Sequence, residues 1–373
     1  MWLIIFAAVI ITAIGGLIYL AAGFHRFAVV KKIAEKNKAA AWVISFAAVA
    51  VIALPWLLFV NAWAMAVVLI HLFLFNLIFD AVSFIASKIR KRKPDRNIST
   101  TAAMVFTAAY LSIGWYAAHN VVITHYDLTT EKNIGEPLRI ALIADVHLGI
   151  TLDGDEFAEQ MKRLDDLNVD AVMIAGDFVD DDSNRADMEK ACAALGNIKT
   201  KYGVFFAYGN HDIGYHNGSR DFSVEDFAPE LDKNGVNILV DSTIMMNDNV
   251  CIVGRHDPYA EGRMSIADLM EYTESSTYSI VLDHQPSDYD AEAESGVDLV
   301  LSGHTHGGHI FPTGYVGTLT GINDRIYGHE KRGNSDFIVT SGISGWAIPF
   351  KTGAKSEIVI IDIKNRSEQA LNE

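Results

Sequence analysis

The chain has 373 residues, more than one ordinary domain requires, and half of them are hydrophobic. Residues 1–120 hold eleven Lys or Arg against only Glu35, Asp80 and Asp95, leaving 19 basic and 43 acidic residues in the remainder. The split marks two domains in different surroundings, 1–123 and 124–373. The acidic rear has no basic stripe, so no nucleic acid is expected as partner. Cys192 and Cys251 are too few for a disulfide framework and read as buried thiols, with one bridge open in an oxidising compartment.

In chain order, four apolar stretches come first: Leu3–Ala22, Ala40–Val60, Ala64–Ala86 and Thr101–Val122. Each approaches the roughly 20 residues that a helix needs to cross a bilayer. The first lacks a basic start and is too long for a signal-peptide core, so it reads as a true span. Pro55 lies inside the second, where membrane helices tolerate it. The loop after the first stretch carries Arg26, Lys31, Lys32, Lys36 and Lys38, and the loop after the third carries Lys88, Arg90, Lys91, Arg92, Lys93 and Arg96. The positive-inside rule places both loops in the cytoplasm. A multi-pass protein of the cytoplasmic (cell) membrane follows, with membrane lipids as partners and the rear domain extracytoplasmic. His71 and Asp80 lie within the third stretch; two scattered residues define no transport path, and Asp80 is expected to lie near the cytoplasmic end and snorkel or pair with the nearby basic cluster.

From Leu138 onward, short apolar runs alternate with polar, helix-like stretches. Strands are expected at Leu138–Ala144, Ala171–Ala175, Val204–Tyr208, Val250–Val253, Tyr278–Leu282, Leu299–Leu301, Phe337–Thr340 and Ile358–Ile361. Helices are expected at Glu156–Leu167 and Asp187–Ile198. The tail from Asn365 reads as polar and frayed. Buried strands alternating with helices make an α/β domain.

Several of these strands stop at residues that can bind metal or phosphate. In order they are Asp145-Val146-His147, Gly176-Asp177, Gly209-Asn210-His211-Asp212, Asp283-His284 and Gly303-His304-Thr305-His306-Gly307-Gly308. Ligands bind outside the carboxyl ends of strands in open α/β sheets, so these groups can converge on one rim. A mixed oxygen and nitrogen donor set without thiolate suits manganese, iron or zinc. Asp145 and His147, two apart, can reach one metal from a single turn, and Asp177 after its glycine is the natural bridge between two cations.

These motifs resemble the calcineurin-like metallophosphoesterases, and within them the membrane-associated bacterial YkuE/YaeI-like branch. The resemblance covers about residues 137–363. It implies a four-layer α/β/β/α sandwich with two mixed sheets behind an N-terminal membrane domain of about four helices. It further implies two divalent ions, with Asp145, His147 and His306 on the first, Asn210, His284 and His304 on the second, and Asp177 between them. His211 is then the group that touches the phosphate and protonates the leaving oxygen, and Asp212 orients its ring. A bridging hydroxide attacks phosphorus. The implied activity is hydrolysis of a phosphate ester or pyrophosphate, on a phosphorylated small-molecule or lipid-linked substrate. A membrane sensor using the same fold without turnover is the alternative, against which the intact ligand set counts. A transporter carrying a hydrolase is a third reading, with only His71, Asp80 and Pro55 to support it.

Other positions carry less weight. Asp180 matches a position near the site, though an acidic run at 180–182 more often starts a solvated helix. His309 stands where relatives carry Gln. Ser344–Lys351 resembles a family loop near the site, and Lys351 stands where relatives often carry an Arg able to grip substrate. His256-Asp257-Pro258 is a pocket wall or a plain turn, and His216 and His329 read as surface residues.

Overall fold

The structure, a computed structural model, describes residues 2–91, 96–214 and 220–366. Arg92 and Lys93 of the second basic loop, His216 and most of the tail lie outside the described residues. The chain divides into two compact units, Met1–Ile113 and Gly114–Glu373.

The first unit is helical: α1 (Trp2–His25), α2 (Ala28–Ala34), α3 (Lys38–Phe59), α4 (Ala62–Arg90) and most of α5 (Arg96–His119), which continues into the second unit. Asn37 and Asn61 start α3 and α4 by accepting the N–H of Ala40 and Ala64 on their side chains. Among the described residues, Lys38–Phe59, Ala62–Arg90 and Asn97–His119 are long and apolar enough to cross a membrane. A fourth span exists if Ile11–His25 and Ala28–Ala34, bent by 94° at their break, count as one. Asp80 is paired with Arg26 of the first basic loop, whose Nη1 approaches it to 2.9 Å, and the Tyr19 hydroxyl donates to it at 2.7 Å. His71 is buried, with Nδ1 2.8 Å from the Val67 carbonyl, one turn back on its own helix.

The second unit is a sandwich of two six-stranded mixed sheets. The first sheet runs in the order β1 (Val122–Thr130), β12 (Glu357–Asn365), β2 (Leu138–Ile143), β3 (Ala171–Ala175), β4 (Val204–Ala207) and β5 (Val236–Leu239). The second runs β10 (Gly328–Arg332), β11 (Ser335–Val339), β9 (Leu299–Ser302), β8 (Tyr278–Leu282), β7 (Val250–Gly254) and β6 (Ser242–Met245). Strands β2 to β5 are parallel, as are β7, β8, β9 and β11.

Alternate residues of β2 show why its apolar run is continuous. Ala141 and Ile143 face the helices α6 (Gly154–Asp165), α7 (Arg185–Gly196) and α8 (Val224–Lys233), while Ile140 and Leu142 face the core between the sheets. A strand buried on both faces has no polar face to show. Helices α9 (Ile266–Met270) and α10 (Tyr289–Glu294) cover the second sheet, completing four layers. A capping box at Asp153 and Glu156 starts α6. Both cysteines are free and buried.

Two expectations change. Asn365 is no frayed tail: it ends β12, paired with Thr130, and its side chain accepts the Ile134 N–H. Val122 does not belong to a helix; α5 stops at His119 and Val122 opens β1.

Candidate metal centre

Each chemistry-bearing motif follows directly on a strand. Asp145 and His147 follow β2, Asp177 follows β3, Asn210 and His211 follow β4, His284 follows β8, and His304 and His306 follow β9. Five of them have positive φ: Asp145 (53°), His147 (39°), Asp177 (52°), His304 (69°) and His306 (49°). Non-glycine residues rarely adopt that region, and such strain gathers where side chains must be aimed. Two glycines make the approach possible. Gly176 has φ +77° and a Cβ there would lie 2.4 Å from the Gly209 nitrogen; a Cβ on Gly209 would lie 2.2 Å from Asp177 Oδ1.

The side chains converge in two groups. Asp145, His147 and His306 bring one donor atom each within 4.8 Å of one another, and so do Asp177, His284 and His304. Asp177 Oδ2 lies between the groups, 3.6 Å from His147 Nε2 and 3.0 Å from His284 Nε2. Its Oδ1 accepts the His211 N–H at 2.8 Å. Asn210 Oδ1 is 3.1 Å from His304 Nδ1, and Asp145 Oδ1 accepts the His304 N–H at 2.9 Å. All seven candidate ligands thus share one place, with His211 beside them.

Three imidazoles are held from behind. The Nδ1 atoms of His147, His284 and His306 lie 2.8 Å from Asp180 Oδ2, 2.7 Å from the Ala175 carbonyl and 3.3 Å from the Ser344 carbonyl. An outer acceptor on one ring nitrogen fixes the tautomer and turns the other nitrogen inward, as in metal-binding histidines generally. The inward Nε2 atoms of His147 and His284 and Oδ2 of Asp145 are buried without a hydrogen-bond partner. His284 Nε2 is close to Asp177, yet the pair is not aligned as a hydrogen bond. Buried polar atoms without partners are costly. A cation shared by them removes that cost, and the donor set fits divalent ions.

Electrostatics agree. Burial disfavours the His284 cation, but the carboxylates of Asp177 and Asp145 lift its pKa to about 10. Burial works against the Asp177 carboxylate too, yet His284 foremost holds it below the usual range. Asp145 is pushed up by burial and by Asp177. Burial and neighbouring imidazoles lower His304 to about 3 and His306 well below its ordinary value. Carboxyl groups crowd the centre, and burial keeps the His304 and His306 imidazoles neutral, with lone pairs available to a cation.

The structure revises several roles. Asp212 does not orient the His211 ring. Its Oδ2 accepts the N–H groups of Asp177 and Gly209, each at 2.8 Å, and its Oδ1 those of Phe178 (2.8 Å) and Val179 (3.0 Å). It clamps the two ligand-bearing loops together. Asp180 holds the ring instead: its Oδ1 is 3.0 Å from His211 Nδ1, while Oδ2 serves His147. Asp180 is buried rather than solvated. Burial opposes its charge, but the bonds to His147 and His211 keep its carboxyl far below the usual range. Its match to a position near the site was the only signal, because an Asp run carries no mark of burial.

Lys351 does not reach toward substrate. It is fully buried, and its Nζ donates to the carbonyls of Ser341 (2.5 Å), Gly342 (3.2 Å) and Ser344 (3.3 Å). It braces the loop whose Ser344 carbonyl holds His306. His309 packs 5.2 Å from the His306 ring, and Trp346 lies 5.6 Å from the His211 ring, a neighbour that sequence reasoning did not single out. Asp257 is buried and accepts from Gln285 at 2.9 Å. His329 is half-buried in β10, 2.7 Å from Asp336.

Comparison with known proteins gives a consistent result. The calcineurin-like phosphoesterase family model matches residues 138–308. An uncharacterized metallophosphoesterase of Helicobacter pylori (strain J99) is 29% identical, over 84% of this chain and 85% of its own length. One from Aquifex aeolicus is 30% identical, over 65% of this chain and 92% of its own length. A transmembrane protein with metallophosphoesterase domain from Danio rerio is 28% identical, over 71% of this chain and 62% of its own length. With its two mixed sheets and its clustered Asp and His donors, the chain belongs to the calcineurin-like metallophosphoesterase family and is a metal-dependent phosphoester hydrolase.

Proposed function

We propose that the centre is binuclear and hydrolyses a phosphate ester or pyrophosphate borne by a lipid-linked or envelope substrate. The supporting observation is the set of buried donor atoms without hydrogen-bond partners, Asp145 Oδ2, His147 Nε2 and His284 Nε2, gathered around Asp177. Asp145, His147 and His306 would hold one divalent ion; Asn210, His284 and His304 the other; Asp177 would contribute to both. Manganese, iron and zinc all suit the donors. Bound ions would supply Lewis acidity toward the phosphoryl oxygens and an acidified water.

The chain's own residues do the rest. His211 donates a proton to the departing oxygen, and burial is outweighed by Asp180 and Asp177 in raising its pKa, which favours the protonated form that this role needs. Asp180 fixes the His211 ring, and Asp212 fixes the loops.

Membrane lipids and a phosphorylated substrate at the outer face of the cell membrane are the partners this reading carries. The two basic loops support an extracytoplasmic catalytic domain. A reporter fused after Glu373 tests that orientation: alkaline phosphatase should be active and green fluorescent protein dark, and the reverse result moves the enzyme inside. For the chemistry, the full chain should hydrolyse an aryl phosphate, lose activity to a chelator and regain it with manganese or zinc. A chain that binds these ions and releases no phosphate would be a sensor instead.

A further inference from the structure

The residues that follow Gly307-Gly308 build an exposed, uncharged lobe. From Ile310 to Asn323 there is no charged side chain. The stretch includes α11 (Tyr315–Leu319), a short helix with no buried residue. Its apolar side chains face outward: Phe311 is 54% exposed, Tyr315 and Val316 56%, Ile322 63% and Leu319 84%. Large apolar groups scattered singly on a surface need no explanation, but a contiguous uncharged patch marks a binding surface.

The neighbourhood of the lobe identifies what it meets. Thr352 ties the lobe's base down: its Oγ1 accepts the Phe311 N–H at 3.0 Å, and its own N–H donates to the His309 carbonyl at 2.8 Å. The same loop grips the last turns of α5. Lys351 N–H donates to the Gly114 carbonyl at 2.9 Å, and a Cβ on Gly114 would lie 2.7 Å from Thr352 Cγ2. Helix α5 is one of the three helices apolar enough to cross a membrane. Its Trp115 and Tyr116, beside Gly114, are 48% and 59% exposed. Trp and Tyr concentrate where a spanning helix leaves the hydrocarbon. Through Lys351 and Thr352 the base of the lobe is therefore tied to the aromatic end of a spanning helix, and the lobe shares that helix's lack of charge.

We propose that Ile310–Ile322 is an interfacial element that inserts its apolar side chains into the lipid bilayer, beside the exit of α5. Membrane-surface elements bury apolar residues roughly 5–10 Å deep, at the boundary of headgroups and acyl chains. The lobe follows directly on His306-Gly307-Gly308, so its insertion brings the metal centre to the depth of lipid headgroups. The insertion itself requires no catalysis and goes beyond the phosphoesterase reading.

The test uses the full chain in phosphatidylcholine vesicles. Leu319→Cys and, as a control, Tyr272→Cys are each labelled with an environment-sensitive nitrobenzoxadiazole probe. Both positions are strongly exposed, so neither substitution threatens the fold, and the native Cys192 and Cys251 are buried from the reagent. Equal melting temperatures with and without label check this. The probe at 319 should emit to the blue of the probe at 272 and lose most of its intensity to lipids carrying a shallow nitroxide. Equal emission and equal quenching at the two positions would overturn the proposal. A blue shift at 319 without nitroxide quenching would also overturn it, since protein rather than lipid would then cover the lobe. Either outcome is read without substrate, so failure of the phosphoesterase reading is scored separately.

Discussion

Two buried clusters of charge meet at the end of β8, where Asp283 belongs to one and His284 to the other. Behind the sheet, Asp283 Oδ2 lies 2.8 Å from Arg255 and 2.5 Å from Arg263, and Arg255 also reaches Glu292 (3.1 Å) and Asp288 (2.8 Å). That cluster brings its own cations. In front, Asp145, Asp177 and Asp180 have imidazoles as their ion-pair partners, with no Lys or Arg ion pair among the described residues. Lys351 feels Asp145 electrostatically but spends its protons on carbonyls. Asp283, Glu292, Asp145 and Asp177 are all buried, where an uncompensated charge costs several kcal/mol. Buried atoms without partners occur in both clusters, Asp283 Oδ1 and Arg255 Nε as well as Asp145 Oδ2 and His147 Nε2, so it is charge that separates them: acids matched by guanidinium hold the fold, and acids with only imidazoles as charged partners suit a divalent cation.

Asp177→Asn attacks the second kind of cluster at its midpoint and should have the largest effect. Its neutral isostere keeps the size of the side chain but releases at least one ion. Turnover should fall well beyond the ~10–100-fold that loss of an outer-shell partner costs. Elemental analysis should show metal falling with it; full metal content with normal turnover would remove Asp177 from the centre.

His211→Ala should retain metal and lose about 10²–10⁴ in rate, the usual contribution of a general acid. The loss should shrink for nitrophenolate leaving groups, which need no proton. An equal loss for alkoxide and nitrophenolate esters argues against the acid role.

Asp180→Asn should come next, at ~10–100-fold, because it loosens His147 and His211 without removing either. Rates across a leaving-group series should show a weaker version of the His211→Ala pattern together with weaker metal binding. A variant that loses metal affinity alone would confine Asp180 to His147.

Arg255→Ala should disturb turnover least and the fold most. Leaving Glu292 without its guanidinium, and Asp283 with Arg263 alone, should cost about 3–5 kcal/mol in denaturant unfolding. Metal content and rate per folded molecule should stay near wild type. A collapse of metal binding at unchanged stability would show that the two clusters act as one.

The same contrast explains what could be read in advance. The inner strands were legible because burial on both faces makes an apolar run, and Val172–Ala175 or Ile280–Leu282 can be little else. The edge strands β1, β5, β6 and β10 were not: Val122–Thr130 mixes apolar and polar groups, Val236–Leu239 and Ser242–Met245 are four residues each, and Gly328–Arg332 is charged, as edges tend to be. The ligands were legible as short motifs at strand ends, since the chemistry restricts them to Asp, His and Asn. Supporting residues were not. Nothing in the string Asp180-Asp181-Asp182 says that only the first is buried, and nothing marks Asp212 as a clamp for four N–H groups or Lys351 as a strut. Those roles arise from contacts between distant segments.

Anomalous diffraction from crystals of the full chain grown with manganese tests the central claim most directly. Two peaks roughly 3.5–4 Å apart are predicted, one against Asp145, His147 and His306, the other against Asn210, His284 and His304, with Asp177 touching both. A single peak, or peaks away from Asp177, would contradict a binuclear centre.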